Sequence, residues 1–286
     1  MLYYIVRTPF YPGATKKPIV IPFTLTSEGH ILVKATINGV EGDFIFDTGA
    51  GINMVTQKFA DKLGSLQKTD GFYVGHRATG EAISTDLWVI KDLQMGAFAC
   101  TGQKTAVAKV DFPLDGLISL MPFINSPITI DYSNKRLTIE SNSSLQQLLP
   151  QSKIIPLQIS YERETVVEIF TYVRLNNQIT AQISLDCGAG FNVFRFNSRY
   201  MAPLGIDSLK AVKKYIKSPF DTTKGNTYYT TDLAELRTIS NGTTANNIKA
   251  TFIEGLIVEG ITGMNWLGDQ ITIDIAHKRM LVRSKH

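Results

Sequence analysis

The chain has 286 residues but only two cysteines, Cys100 and Cys187, and four histidines. Two thiols cannot build a disulfide framework, and no Cys or His falls at zinc-site spacing. No zinc-type metal site is therefore expected, and no motif in the chain calls for a cofactor. No apolar run approaches the roughly 20 residues that a membrane helix needs, so no membrane span is expected. The opening "MLYYIVR" lacks the basic leader and apolar length of a signal peptide. An export signal is thus either removed or never existed, and the compartment stays open. No H-E-x-x-H, G-x-S-x-G or Cys-x-x-Cys occurs, which sets aside three catalytic classes.

Charge is also modest, at +4 overall with 19% charged residues beside 44% hydrophobic ones, as in ordinary globular domains. The densest basic stretch is "SLKAVKKYIKS", residues 208–218. Helical spacing puts Leu209, Val212 and Ile216 on one face and Lys210, Lys213, Lys214 and Lys217 mostly elsewhere. A solvated helix face is expected there, and no nucleic-acid partner.

What the chain does contain is a long internal repeat. One copy begins "IPFTLTSEGHILVKATINGVEGDFIFDTGAGINMVTQKFADKLG"; the other begins "IPLQISYERETVVEIFTYVRLNNQITAQISLDCGAGFNVFRFNSRYMAPLG". The copies end alike, in "DGLISLMPFINSPITIDYSNKRLTIE" and "EGITGMNWLGDQITIDIAHKRMLVR". The expected organisation is an N-terminal extension at 1–17, a lobe at 18–140, a polar linker at 141–153 and a second lobe at 154–286. Sequons at Asn142 and Asn241 are too short a pattern to carry an argument.

Local signals favour strands. Segments such as "HILVKATING" and "GDFIFD" are short, β-branched or aromatic, and bounded by Gly or Asn. Hairpins are expected to turn at Asn38-Gly39 and at Asn176-Asn177. Helices are expected only in "TQKFADKLG" with Thr56 as N-cap, in "NSRYMAPLG" broken by Pro203, and in the Lys-rich segment.

Each copy ends a strand with Asp-x-Gly-Ala-Gly, at Asp47 and at Asp186. An Asp there can simply start a turn, its carboxylate bonding amides two residues on. Two such turns in matching lobes suggest instead two carboxylates brought together, which would share a proton and act as acid and base. Neither turn has the third glycine of a dinucleotide fingerprint or the oxygen ligands of an EF-hand.

On these residues, "FDTGAG" and "LDCGAG" with the later Asp-Gly-Leu-Ile-like and "ITID" segments, the chain resembles the aspartic proteases of the pepsin and retropepsin clan. It is most similar to bacterial two-lobed aspartyl proteases whose halves are each retropepsin-like. The resemblance spans roughly residues 18–285. It implies a mainly β fold of two similar retropepsin-like barrel lobes with a few short helices, and a catalytic pair Asp47 and Asp186 activating a water. It further implies active-turn support from Thr48, Gly49, Cys187 and Gly188, with Cys187 standing where Thr or Ser is usual, either tolerated or a redox-sensitive control. Ser119 likewise stands where Gly is usual, opposite Gly263. A flap hairpin is expected at 71–84, with Tyr73, Gly75 and Gly80 as substrate-binding candidates, and Tyr228 and Tyr229 lining the other wall. The implied partner is a peptide or protein substrate, the implied state a monomer, and export to an envelope is suggested by the relatives alone. A catalytically inactive peptide-binding protein is the alternative.

Overall fold

The computed structural model describes residues 15–64, 66–110, 112–162, 165–218, 223–240 and 242–284. Residues 1–14, most of the expected N-terminal extension, and Asn241 lie outside the described residues. The protein is mainly β, and the repeat in sequence becomes a repeat in strand order.

In the first lobe, eight strands run Thr24–Leu25, Ile31–Ile37, Val40–Phe46, Gly116–Ile118, Asn53–Thr56, Phe98–Ala108, Ala82–Met95 and Gln67–His76. In the second, the order is Gln158–Glu162, Val166–Leu175, Ile179–Leu185, Gly260–Thr262, Phe194–Asn197, Thr244–Ile253, Gly225–Thr238 and Val212–Lys217. Each sheet curls back on itself, through Thr36↔Gln94 in one lobe and Val173↔Thr238 in the other, which makes it barrel-like. Alternation places the core. Ile31, Val33, Ala35 and Ile37 are all buried, and the residues between them are not.

The hairpin turns fall where the Asn residues predict. Asn38 and Gly39 both have positive φ, 48° and 84°, and Asn176 and Asn177 have 47° and 56°. Two successive left-handed residues match the twist of antiparallel strands, and Asn tolerates that region better than most side chains. Thr56 caps the helix Gln57–Lys62, its side chain accepting from the Phe59 amide.

A third sheet joins the halves. Its order is Ile19–Pro22, Arg136–Ile139, Ile128–Asp131, Gln270–Asp274, Arg279–Arg283 and Lys153–Pro156. The two "ITID" strands pair antiparallel at its centre, Ile128 opposite Ile273 and Ile130 opposite Ile271. Between them the Thr129 and Thr272 hydroxyls meet at 2.7 Å. Asp274, fully buried, is held by the Arg279 guanidinium at 2.9 Å, which keeps a charge in the core paired.

Two helical expectations need revision. The Lys-rich segment is not a helix: Val212–Lys217 is an edge strand paired with Gly225–Thr238. Leu209 and Val212, expected to bury one helix face, are 93% and 72% exposed. Val212, Tyr215 and Ile216 favour a strand, and the neighbouring strand supplies backbone partners that a surface helix without an apolar seat would not improve on. Its lysines also guard the open edge against further pairing. In "NSRYMAPLG" only a single 3-10 turn forms, Ser198–Tyr200, before Pro203. The polar stretch at 141–153 holds the helix Asn142–Leu148, started by a capping box between Ser141 and Ser144, and already enters the strand Lys153–Pro156.

Candidate active site

Both lobes deliver an Asp by the same local device. The strand Val40–Phe46 runs parallel to Gly116–Ile118, and the Asp47 amide continues the ladder by donating to the Ile118 carbonyl at 2.9 Å. Ile179–Leu185 runs parallel to Gly260–Thr262, and the Asp186 amide donates to the Thr262 carbonyl at 2.9 Å. Beyond these points the two chains turn toward each other.

The two carboxyl groups come together between the lobes, each against the opposite lobe's turn and each shifting the other's affinity for a proton. Asp47 Oδ1 also accepts from the amides of Gly49 at 2.8 Å and Ala50 at 3.2 Å. Asp186 Oδ1 accepts from the Ala189 amide at 2.8 Å. The glycines explain how the lobes come so close. A Cβ on Gly49 would stand 2.3 Å from Asp186 Cγ, and one on Gly188 would stand 2.2 Å from Asp47 Cγ. Each glycine thus makes room for the opposite lobe's carboxyl.

Burial at the floor between the lobes pushes both carboxyls above the ordinary range. Asp186 rises further, because after burial the Asp47 charge and hydrogen bond act on it in the same direction. At Asp47, by contrast, the Gly49 amide, the Asp186 hydrogen bond and the Ala50 amide oppose the rise. Two carboxyls so close and so buried share a proton and titrate as a unit.

Directly behind the pair, Thr48 and Cys187 form a reciprocal clasp. The Thr48 hydroxyl donates to the Leu185 carbonyl at 2.7 Å and accepts from the Cys187 amide at 2.9 Å. The Cys187 thiol donates to the Phe46 carbonyl at 3.2 Å, and its sulfur accepts from the Thr48 amide at 3.4 Å. Every bond has a counterpart one lobe over, so the thiol makes the contacts that a hydroxyl would make, at sulfur distances. Met264, which sequence reasoning passed over, places its sulfur 3.4 Å from the Thr48 hydroxyl. Both thiols are buried: burial pushes Cys100 up to about 12 and Cys187 further still.

Ser119 also finds a role. Its hydroxyl and amide both donate to Asn53 Oδ1, at 3.1 and 2.9 Å, and the hydroxyl accepts from the Met121 amide at 3.2 Å. In the second lobe a Cβ on Gly263 would lie 2.3 Å from the Gly190 carbonyl. Gly190 has a φ of 93°, whereas Gly51 is not left-handed and sends its carbonyl to the Val167 amide at 3.0 Å instead. That difference frees the space Ser119 occupies.

The hairpin Gln67–His76 with Ala82–Met95 belongs to the first lobe. Its tip is closed by the Arg77 amide donating to the Glu81 carbonyl and the Gly80 amide to the Arg77 carbonyl, with Gly80 at a φ of 88°. The tip crosses to the second lobe, where the Ile257 amide donates to the Ala78 carbonyl at 2.9 Å and Ala78 packs on Ile253, Leu256 and Ile261. Tyr228 joins that cluster; Tyr229 is buried and donates to Glu254 at 2.6 Å. Tyr73 packs with Met54 against Ile52, Leu87 and Ala106, and its phenol is pushed up by burial and then by Glu168 and Glu162. Gly75 opens no gap toward the second lobe; a Cβ there would meet the Tyr73 ring at 2.8 Å.

Arg195 is a further residue no motif pointed to: its charge acts on Asp186. Among the described residues no cluster of three or more His, Cys, Asp or Glu side chains is placed to hold a metal ion. No helix among them is long and apolar enough to cross a membrane.

Residues 33–121, most of the first lobe, match the family model described as aspartyl protease. No curated protein matches the chain. The first lobe is thus similar to the aspartyl protease family, and the two barrel-like lobes are consistent with a bilobed aspartyl protease.

Proposed function

We propose that the protein is an aspartic endopeptidase in which Asp47 and Asp186 together activate a water against a peptide carbonyl. The observation that carries this reading is the pair itself, two buried carboxyls brought together from the two lobes, one of them better supplied with amide donors. Asp47, as the carboxylate, takes the proton of the attacking water. Asp186, as the acid, donates to the carbonyl oxygen as the tetrahedral centre forms. Asp47 then passes the proton to the leaving amine as the C–N bond breaks, and Asp186 takes one back from a gem-diol hydroxyl, which restores the pair's single proton with no covalent intermediate. The Thr48–Cys187 clasp and the two glycines keep the carboxyls at this separation, so little reorganisation accompanies reaction.

The first-lobe hairpin supports the same reading. With strand edges facing an extended segment, it can pair with a substrate backbone and exclude water from the carboxyls. One chain supplies both aspartates, so a monomer suffices. The test is a mixed peptide library incubated across acidic to neutral pH with the protein and its Asp47→Asn and Asp186→Asn variants. Cleavage by the unmodified protein alone is expected. Cleavage that survives in either variant would refute the paired mechanism, and binding without cleavage would favour a catalytically inactive peptide-binding protein.

A further inference from the structure

Matching the lobes strand by strand isolates a residue whose chemistry the carboxyl pair does not use. In the first lobe Met54 pairs with Leu117, the residue before Ile118, whose carbonyl receives the Asp47 amide. In the second lobe the same place belongs to Arg195, which pairs with Ile261, the residue before Thr262, whose carbonyl receives the Asp186 amide. Met54 belongs to the apolar cluster of Ile52, Leu87, Ala106 and Tyr73 beside the flap hairpin. Its counterpart is a cation.

Strand alternation turns Arg195 away from the core of its lobe. Phe194 and Phe196 on either side of it are core residues, 5% and 0% exposed, so Arg195 projects from the opposite face. In the same row of that face stand Ser184 and Ile261, and Ile261 is where the flap tip rests through Ala78. Asp186 lies two residues beyond Ser184, and the Arg195 charge acts on it, opposing the rise that burial imposes. Arg195 is only partly exposed, yet among the described residues its guanidinium has neither a hydrogen bond nor an ion pair. A partly buried guanidinium with five donors is poorly satisfied in that condition, and a planar carboxylate is the group that matches its fork.

We infer that Arg195 forms a subsite on the second-lobe side of the cleft that binds a carboxylate of the substrate, while the apolar surface around Met54 in the first lobe receives an apolar side chain. The cleft therefore selects peptides with opposite character on its two walls. This inference rests on the protease reading for its substrate class but is measured without turnover.

The experiment uses the Asp47→Asn protein and blocked fluorescent peptides in which a single Glu is moved through successive positions, each beside its Gln twin. Binding is read by anisotropy. At one position the Glu peptide is expected to bind about tenfold more tightly than the Gln peptide. Asp47→Asn/Arg195→Met should abolish that difference, and Asp47→Asn/Arg195→Lys should keep a reduced part of it, which separates lost charge from misfolding. Peptides ending in a free carboxylate rather than an amide form a second arm. A gain confined to them supports the subsite and assigns it to the chain end. No preference at any position, no binding at all, or a preference that persists in Arg195→Met would overturn the inference. Failure of the protease reading shows separately, as no cleavage of these peptides by the unmodified protein.

Discussion

Replacing Thr48 by Val is the sharpest test of how the two lobes are held. Val has nearly the shape of Thr, so the change opens no cavity; it removes only the hydroxyl. That hydroxyl is the partner of the Leu185 carbonyl and of the Cys187 amide, at 2.7 and 2.9 Å, in a residue 1% exposed. Each buried backbone group left without a partner costs about 1–3 kcal/mol, so the variant should lose about 2–6 kcal/mol. Against a total of about 5–15 kcal/mol for a folded domain, that is a large fraction. The loss should appear as a lower urea midpoint with an unchanged slope, since the surface exposed on unfolding is the same. Cleavage should fall more steeply than stability, because the clasp lies directly behind both carboxyls. Cys187→Ser, which keeps a donor and an acceptor, should be much milder. A Thr48→Val protein with a midpoint close to that of the parent would refute the claim that the clasp joins the lobes.

Two further outcomes follow from the buried groups. Asp186 is raised on folding, so the folded protein binds its proton more tightly than the unfolded chain. Its effect therefore favours the fold at low pH and is lost as pH rises from the ordinary carboxylate value through the raised one. Asp186→Asn should abolish cleavage yet gain stability relative to the parent on going from about pH 4 to about pH 8, as urea midpoints would show. For the thiols, burial with Cys100 near 12 and Cys187 higher predicts no reaction with a thiol reagent in the folded protein and two equivalents after unfolding. Rapid labelling of Cys187 in the native state would instead point to a redox-sensitive control.

Much of this architecture can be read from residue order, because its signals are local. Asn38-Gly39 and Asn176-Asn177 encode their turns in two residues, and the repeated Asp-x-Gly-Ala-Gly marks both strand ends. The failures are non-local. In "SLKAVKKYIKS" the apolar spacing fits a helix, and only the strand Gly225–Thr238 across from it decides otherwise. Cys187 and Ser119 look like departures from a family pattern until their partners are known, Phe46 and Thr48 for one, Asn53 for the other. Arg195 carries no motif at all. Its meaning comes from the register that sets it opposite Ile261 and from its equivalence to Met54.

The sheet that joins the halves has the construction of a dimer interface. Its two central strands are the same "ITID" segment met twice, antiparallel, with like residues facing like about Thr129 and Thr272. Such a joint is self-complementary, so a half-chain severed within 141–152 carries an edge whose best partner is its own twin. The first half, dimerised through Ile128–Asp131, would set Thr48 against Thr48 and rebuild the clasp from two hydroxyls. The second half, dimerised through Gln270–Asp274, would set Cys187 against Cys187, two thiols where the present pairing has one. With both halves in one chain, neither is held to that symmetry: one carries the hydroxyl and an apolar Met54, the other a thiol and a charge.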